Sequence, residues 1–306
     1  MINTAPIILF VYNRLSHTQL VIEALKRNAL AEDSKLYIYA DAAKDVHAEQ
    51  KVNELRNYLT TITGFREVQV ILRESNLGVD DNTIQAVTEV VNRHGKVIVL
   101  EDDLVTAPWF LSYMNEGLDF YENQDNVASI HGYVYPVKKD LKEVFFLKGA
   151  DCWGWATWKR AWDMFEPNGQ KLLDKIEAQG LQKEFDFDNT YPYLEALRQQ
   201  AIGNTKHWDI RWYASAFLAE KLTLYPGRSL VKNIGHDASG THCGNSTDYD
   251  VVLADTAFSI ETNTIPDSEA YRAFADFFKD LSAANKTQPK GFLSRSFKSF
   301  KTLLRK

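Results

Sequence analysis

VIVLEDDLVTAPWFL, residues 97–111, decides how the chain is read. Its first four residues are an unbroken aliphatic run, the pattern of a strand covered on both faces and hence of a parallel sheet. Three carboxylates follow at once: Glu101, Asp102 and Asp103. Ligands in open α/β sheets collect where strands end and loops begin, so this acidic cluster falls where a site belongs. Three adjacent negative charges fed by a buried strand are costly unless a cation or several donors neutralise them. Mg²⁺ or Mn²⁺ meets that need, since each takes oxygen ligands from one or two carboxylates and completes its shell with substrate phosphates. The plainer reading is an acidic start to the helix after Pro108, because Asp favours helix N-termini.

Working outward, strands and helices alternate. Pro6–Tyr12 reads as a buried strand, and Ser16 with Gln19 forms a capping box for a helix reaching about Asn28. Strands are predicted at Leu36–Ala40, Val68–Arg73 and Val97–Leu100, and helices at Asp45–Ile62 and Asp80–His94. Beyond them come an aromatic helix, Pro108–Tyr121, and a strand, Val127–His131; later segments are shorter and Trp-rich, as in an irregular α+β region. The expected organisation is an α/β subdomain over residues 1–125 and a second subdomain over 126–281. A polar linker from Ser282 to Pro289 and a tail make up 282–306.

Bulk properties narrow the function classes. The 306 residues, 45% hydrophobic and 25% charged, suit a globular protein. A formal charge of −6 gives no overall attraction for nucleic acid. Cys152 and Cys243 form neither a disulfide framework nor a paired-cysteine zinc site, which favours a reducing compartment. The N-terminal apolar run is too short for a signal core or a membrane span, so a cytoplasmic location is expected.

Several segments, in order, resemble the β-N-acetylglucosaminyltransferase I family and its bacterial relatives. VIVLEDDLVTAPWFL is similar to that family's acidic motif and following helix, PIILFVYNR to its opening strand, and LYIYADAAK to the end of its second strand. CWGWATWKRAW resembles its acceptor-side segment and HWDIRW the segment bearing its catalytic base. The resemblance spans about residues 6–245. It implies a GT-A fold, a Rossmann-like, mostly parallel sheet with helices on both faces. It also implies an inverting, metal-dependent transfer of a hexosyl or N-acetylhexosaminyl group from a nucleotide-diphosphate sugar, UDP-linked by expectation. The acceptor is expected to be a glycan or lipid-linked sugar of surface polysaccharide or lipopolysaccharide synthesis. Carried over by position, Asn13, Arg14 and Asp41 hold the nucleoside, and Glu101 and Asp102 lie near the ribose or sugar. Asp103 is the principal metal ligand, with His242 a further candidate. The family's nucleoside-contacting His is absent before the acidic strand, where ESNLGVDDN leaves Asn76 or Asp80 to substitute.

Asp209 is the candidate general base. It has tryptophans at 208 and 212 whose surfaces would partly desolvate it and raise its basicity. A helix cap is the competing reading for Asp209. Four of the seven tryptophans fall between 153 and 162, and Gly154 between two of them would allow close backbone approach. Trp153, Gly154 and Trp155 are therefore assigned to a sugar-facing wall, while the spacing of Trp155, Trp158 and Trp162 also suits core. NIGHDASGTHCGNS, 233–246, has loop composition and offers His236, Asp237 and His242 to a pyrophosphate or metal. The tail places Phe292, Phe297, Phe300 and Leu304 among Arg295, Lys298, Lys301 and Arg305, a basic amphipathic pattern suited to peripheral contact with an anionic membrane.

Two other functions compete. A nucleotidyltransferase on a similar sheet wants a glycine-rich phosphate loop after the first strand, and FVYNRLSHTQ has no glycine. A non-catalytic carbohydrate-binding protein accounts for the tryptophans but leaves the carboxylates without a role.

Overall fold

The computed structural model describes residues 4–237, 246–260 and 263–287. Its elements are β1 (Ile7–Val11), α1 (Leu15–Lys26), β2 (Lys35–Ala40), α2 (Val46–Leu59), β3 (Glu67–Leu72), α3 (Gly78–His94), β4 (Lys96–Glu101) and β5 (Leu104–Thr106). They continue with α4 (Phe110–Phe120), β6 (Val127–His131), β7 (Val144–Lys148), β8 (Trp155–Trp158), α5 (Lys159–Trp162), α6 (Gly169–Ala178) and α7 (Gln182–Phe185). The last are α8 (Tyr193–Ala201), α9 (Trp208–Leu218), β9 (Leu222–Pro226), β10 (Val231–Asn233) and α10 (Ser268–Thr287).

Eight of these strands form one sheet of order β3-β2-β1-β4-β8-β6-β9-β7. The pairs β1–β2, β2–β3, β1–β4 and β6–β9 are parallel, and β8 enters antiparallel between β4 and β6. This is the mostly parallel, Rossmann-like α/β sheet expected of a GT-A fold. Every residue of β1 is buried, which is why its five positions are apolar without alternation. One apolar core spans the sheet and its helices, and a second gathers α6–α10 around Phe185, Phe217 and Phe274.

Helix starts test the local reading. Asp45 caps α2 by accepting from the His47 and Ala48 amides. The capping box expected at Ser16 is absent: α1 begins at Leu15, and the amide and hydroxyl of Thr18 both donate to the Arg14 carbonyl. Buried Asn28 ends α1 by donating to the Ala24 carbonyl, and its oxygen accepts the Leu111 amide at the start of α4. The linker expected from Ser282 is helical through Thr287. The amphipathic tail lies outside the described residues. No described helix is long and apolar enough to cross a membrane.

The tryptophan cluster is mostly core: Trp155, Trp158 and Trp162 are buried, and Trp153 is half-buried against them. Trp155 is fully buried in β8, 5.4 Å from Trp208 and within 6 Å of Trp162 and Trp212. It packs in the core rather than facing sugar, because the rings of Trp162, Trp208 and Trp212 cover it completely. Trp155→Ala should destabilise the protein by about 3–5 kcal/mol in urea unfolding. A loss within about 0.5 kcal/mol would instead place this ring on a surface.

Candidate functional site

Strand topology assembles the site. Phe10 pairs with Glu101 in the parallel β1–β4 ladder, so residues following both strands emerge side by side. Antiparallel β8 brings its beginning to the same edge, with Trp155 opposite Val99. Asn13–Arg14, Glu101–Asp103 and Cys152–Gly154 therefore meet at one end of the sheet. The short antiparallel pair β5–β10 then carries residues 233–237 over the acids. The Ile234 amide donates to the Asp103 carbonyl at 2.8 Å, and His17 meets Asp237 at 3.2 Å. A Cβ on Gly235 would fall 2.2 Å from an Asp103 carboxylate oxygen, so only glycine lets this segment lie so close.

Arg14 is the counter-ion of the cluster. Its Nη2 bonds Asp102 Oδ1 and, at 2.9 Å, Asp103 Oδ2, which places the guanidinium on the carboxylates rather than free for a nucleoside. One cation faces three acids. Burial, followed by the charges of Asp103, Asp102 and Asp209, pushes the Glu101 carboxyl from 4.5 up to about 8. Burial also raises Asp102 from 3.8 to about 6, against the pull of Arg14. Asp102 Oδ2 is buried with no hydrogen-bond partner among the described residues.

Asp41 and Asn76 form a clamp. The Asp41 carboxylate accepts from the amides of Ala42, Leu77 and Gly78 and from Asn76 Nδ2, while Asn76 also donates to the Ala42 carbonyl. These bonds tie the start of α3 to the end of β2 and occupy the Asp41 oxygens proposed for a nucleoside. Asp80, the other substitute considered, is buried in an ion pair with Arg211 that joins α3 to α9.

Asp209 lies in the first turn of α9, with His207 at the N-cap position, so the residue is beside the cap rather than being it. Burial pushes its carboxyl up, but the His207 imidazole 3.5 Å away and the amides of Asp209 and Ile210 outweigh burial and leave it below the ordinary value. The basicity expected from the flanking tryptophans is thus reversed. His207 is the partner that sequence reading passed over; a His two residues before the candidate base, at a helix entrance, was the available signal. Asp209 adds to the field at Glu101 and Cys152, so the base candidate and the acids share one neighbourhood.

On the other side, the His236 ring stacks on Tyr249 at 5.1 Å and meets Trp153 edge-on at 5.5 Å. Its Nε2 is buried without a partner among the described residues, and burial holds the ring below its usual pKa, hence neutral. Gly154 has φ +70°, and a Cβ there would meet Val231 at 2.7 Å; its smallness serves packing, not ligand approach. His242 lies outside the described residues. Among the described residues no group of three or more His, Cys, Asp or Glu side chains is arranged to hold a metal by itself.

No family model and no curated protein matches this chain. Among solved structures it is similar to TarS from S. aureus, at 13% identity over 49% of this chain and 25% of that one, with a TM-score of 0.32. It is also similar to the mannosyltransferase PcManGT from Pyrobaculum calidifontis in complex with GDP-Man and Mn²⁺, at 11% identity over 43% and 35%, TM-score 0.32. A third is glucosyl-3-phosphoglycerate synthase from Mycobacterium tuberculosis in complex with Mn²⁺, UDP and phosphoglyceric acid, at 13% over 58% and 66%, TM-score 0.35. The chain thus spans less than two thirds of the length of each. The fold rests on the strand order itself.

Because Glu101 and Asp102 have folded-state values above their ordinary ones, the folded chain binds more protons than the unfolded chain between about pH 4 and 8. Stability is therefore lost as pH rises through that window. The thermal midpoint of the metal-free protein should fall between about pH 5 and 8, and Glu101→Gln should remove most of the upper part of that fall. An unchanged slope in the variant would contradict the assignment.

Proposed function

We propose that this chain is an inverting glycosyltransferase that uses a nucleotide-diphosphate sugar. The observation that supports it most is the acidic cluster at the end of β4, three carboxylates compensated by Arg14 only in part, set under residues 233–237 and within the field of a separate carboxylate, Asp209. Such an arrangement has one place for a diphosphate held through a cation and another for a proton acceptor.

The donor set fits a divalent ion. An orphaned Asp102 oxygen and a Glu101 carboxyl raised by burial and then by its acidic neighbours both signal missing positive charge, and Asp103 adds a further carboxylate beside them. Asp103, with Asp102 or Glu101, would hold Mn²⁺ or Mg²⁺, and bound diphosphate oxygens would complete a shell that these side chains alone do not provide. When bound, the ion would offset charge on the departing diphosphate.

The protein's own groups perform the rest. Asp209 takes the proton of the acceptor hydroxyl, the hydroxyl oxygen forms a bond to the anomeric carbon, and the bond from that carbon to the phosphate oxygen breaks with its electron pair leaving on the nucleoside diphosphate. His207 keeps Asp209 ionised and oriented. Arg14 fixes Asp102 and Asp103, and residues 233–237 shield them from water. The UDP specificity, the hexosyl or N-acetylhexosaminyl group and the glycan or lipid-linked acceptor of surface polysaccharide or lipopolysaccharide synthesis belong to the same proposal. They rest on the sequence resemblance, and the subdomain limits rest on the change in composition along the chain. Placement on the inner face of the cell membrane rests on the tail's sequence alone.

A thermal-shift panel of UDP-, GDP-, CDP- and dTDP-sugars, with Mn²⁺ or with chelator, tests the donor. One nucleotide class should raise the midpoint only with metal, and Asp103→Ala should abolish the rise. No shift with any of them would sink the proposal. Asp209→Asn should keep the shift while lowering transfer by at least about a hundredfold, the usual worth of a general base.

A further inference from the structure

Asp151 has no part in the roles above. It stands just before Cys152 at the mouth of β8, its side chain 18% exposed. Its Oδ1 accepts the Cys152 amide at 2.8 Å, and its Oδ2 accepts the Tyr135 hydroxyl at 3.3 Å. A carboxylate offers about four acceptor positions, so roughly half of these are unfilled. The nearest imidazole, His131, is wholly buried 3.7 Å away. Neither of its nitrogens has a hydrogen-bond partner among the described residues, and burial holds its pKa down. A neutral ring supplies no counter-charge. A carboxylate held in aromatic surroundings with so little compensation is costly in the free protein unless further donors arrive from outside.

The surroundings indicate which donors. Tyr133, Tyr135, Trp153 and Tyr249 form a closed group of rings, with centroids 4.8 Å apart for Tyr133–Trp153, 5.3 Å for Tyr133–Tyr135, 5.6 Å for Trp153–Tyr249 and 6.3 Å for Tyr135–Tyr249. Tyr191 shares a hydrogen bond with Tyr249 and feels both Asp209 and Asp151. Cys152 feels the same two carboxylates. The base candidate on α9 and Asp151, which precedes β8, therefore both act on residues of this aromatic group. A pyranose matches it: the ring's C–H face lies on an aromatic surface while its hydroxyls donate to a carboxylate. The negative charges of Asp151, Asp209 and the Glu101–Asp103 cluster disfavour an anionic sugar in the same place.

We infer that Asp151 binds the hydroxyls of a neutral pyranose at the end of the acceptor, with Trp153, Tyr191 and Tyr249 as its walls. The inference rests on the transferase proposal for its role in catalysis but predicts binding that can be measured separately. Saturation-transfer NMR on the full chain, with methyl glucoside, methyl galactoside and methyl N-acetylglucosaminide as probes and methyl glucuronide as the charged control, provides the test. At least one neutral probe should bind, the glucuronide should not, and affinity should fall at least tenfold in Asp151→Asn and in Tyr249→Ala. Asp151→Asn should keep its metal-dependent shift with the nucleotide sugar. Absence of binding by the wild type, equal binding by Asp151→Asn, or equal binding of the glucuronide overturns the subsite. Loss of the nucleotide shift in Asp151→Asn makes the residue structural and overturns it too. Pyranoside binding that depends on Asp151 in a protein unmoved by any nucleotide sugar sustains the subsite and removes the transferase proposal alone.

Discussion

Charge confined at the end of a buried strand governs this molecule. β4 delivers Glu101, Asp102 and Asp103 into a place that water reaches poorly, and the parallel ladder with β1 puts Arg14 against them. Neither partner is stable there alone: an unpaired guanidinium would be as costly as unpaired carboxylates. A surplus of negative charge remains: burial and the neighbouring carboxylates hold the Glu101 carboxyl above its ordinary value, and one Asp102 oxygen has no partner among the described residues. A strand end of this kind loses stability as its carboxyls ionise.

The rest of the architecture can be understood as support for that edge. Asp41 and Asn76 pin the α3 entrance, Asp80 and Arg211 pin α3 to α9, and α9 in turn presents Asp209. The β5–β10 pair holds residues 233–237 above Asp103, where glycine at 235 is the only residue without a clash. Several polar residues that could contact ligand therefore spend their hydrogen bonds on positioning. Buried polar groups need partners, and in a site built from loops the nearest partners are other loops.

Asp209 shows how a residue's surroundings can reverse its expected chemistry. Tryptophans on both sides argue for a desolvated, more basic carboxylate. The imidazole of His207 and the amides of the helix start outweigh that burial. A carboxylate kept ionised by a neighbouring imidazole takes a proton less avidly than an isolated buried carboxylate would.

By itself the sequence determined the order of elements in the first half, because unbroken apolar runs and 3.6-residue periodicity are local signals. β2, α2, β3, α3, β4 and β6 lie within two or three residues of expectation, and the acidic cluster falls at a strand end as read. Only the tertiary structure decided who meets whom. That Arg14 neutralises the acids follows from strands 1 and 4 being neighbours, a fact carried by no residue of either strand. Trp155 became core because β8 is inserted antiparallel between β4 and β6 with every residue buried, while Trp153, before the strand, stays half-buried against that core. Asp151, His131, Tyr191 and Tyr249 come from four separated segments with no common spacing, so their grouping is a product of packing alone. Local periodicity is written along the chain; electrostatic neighbourhoods depend on contacts between residues far apart in it.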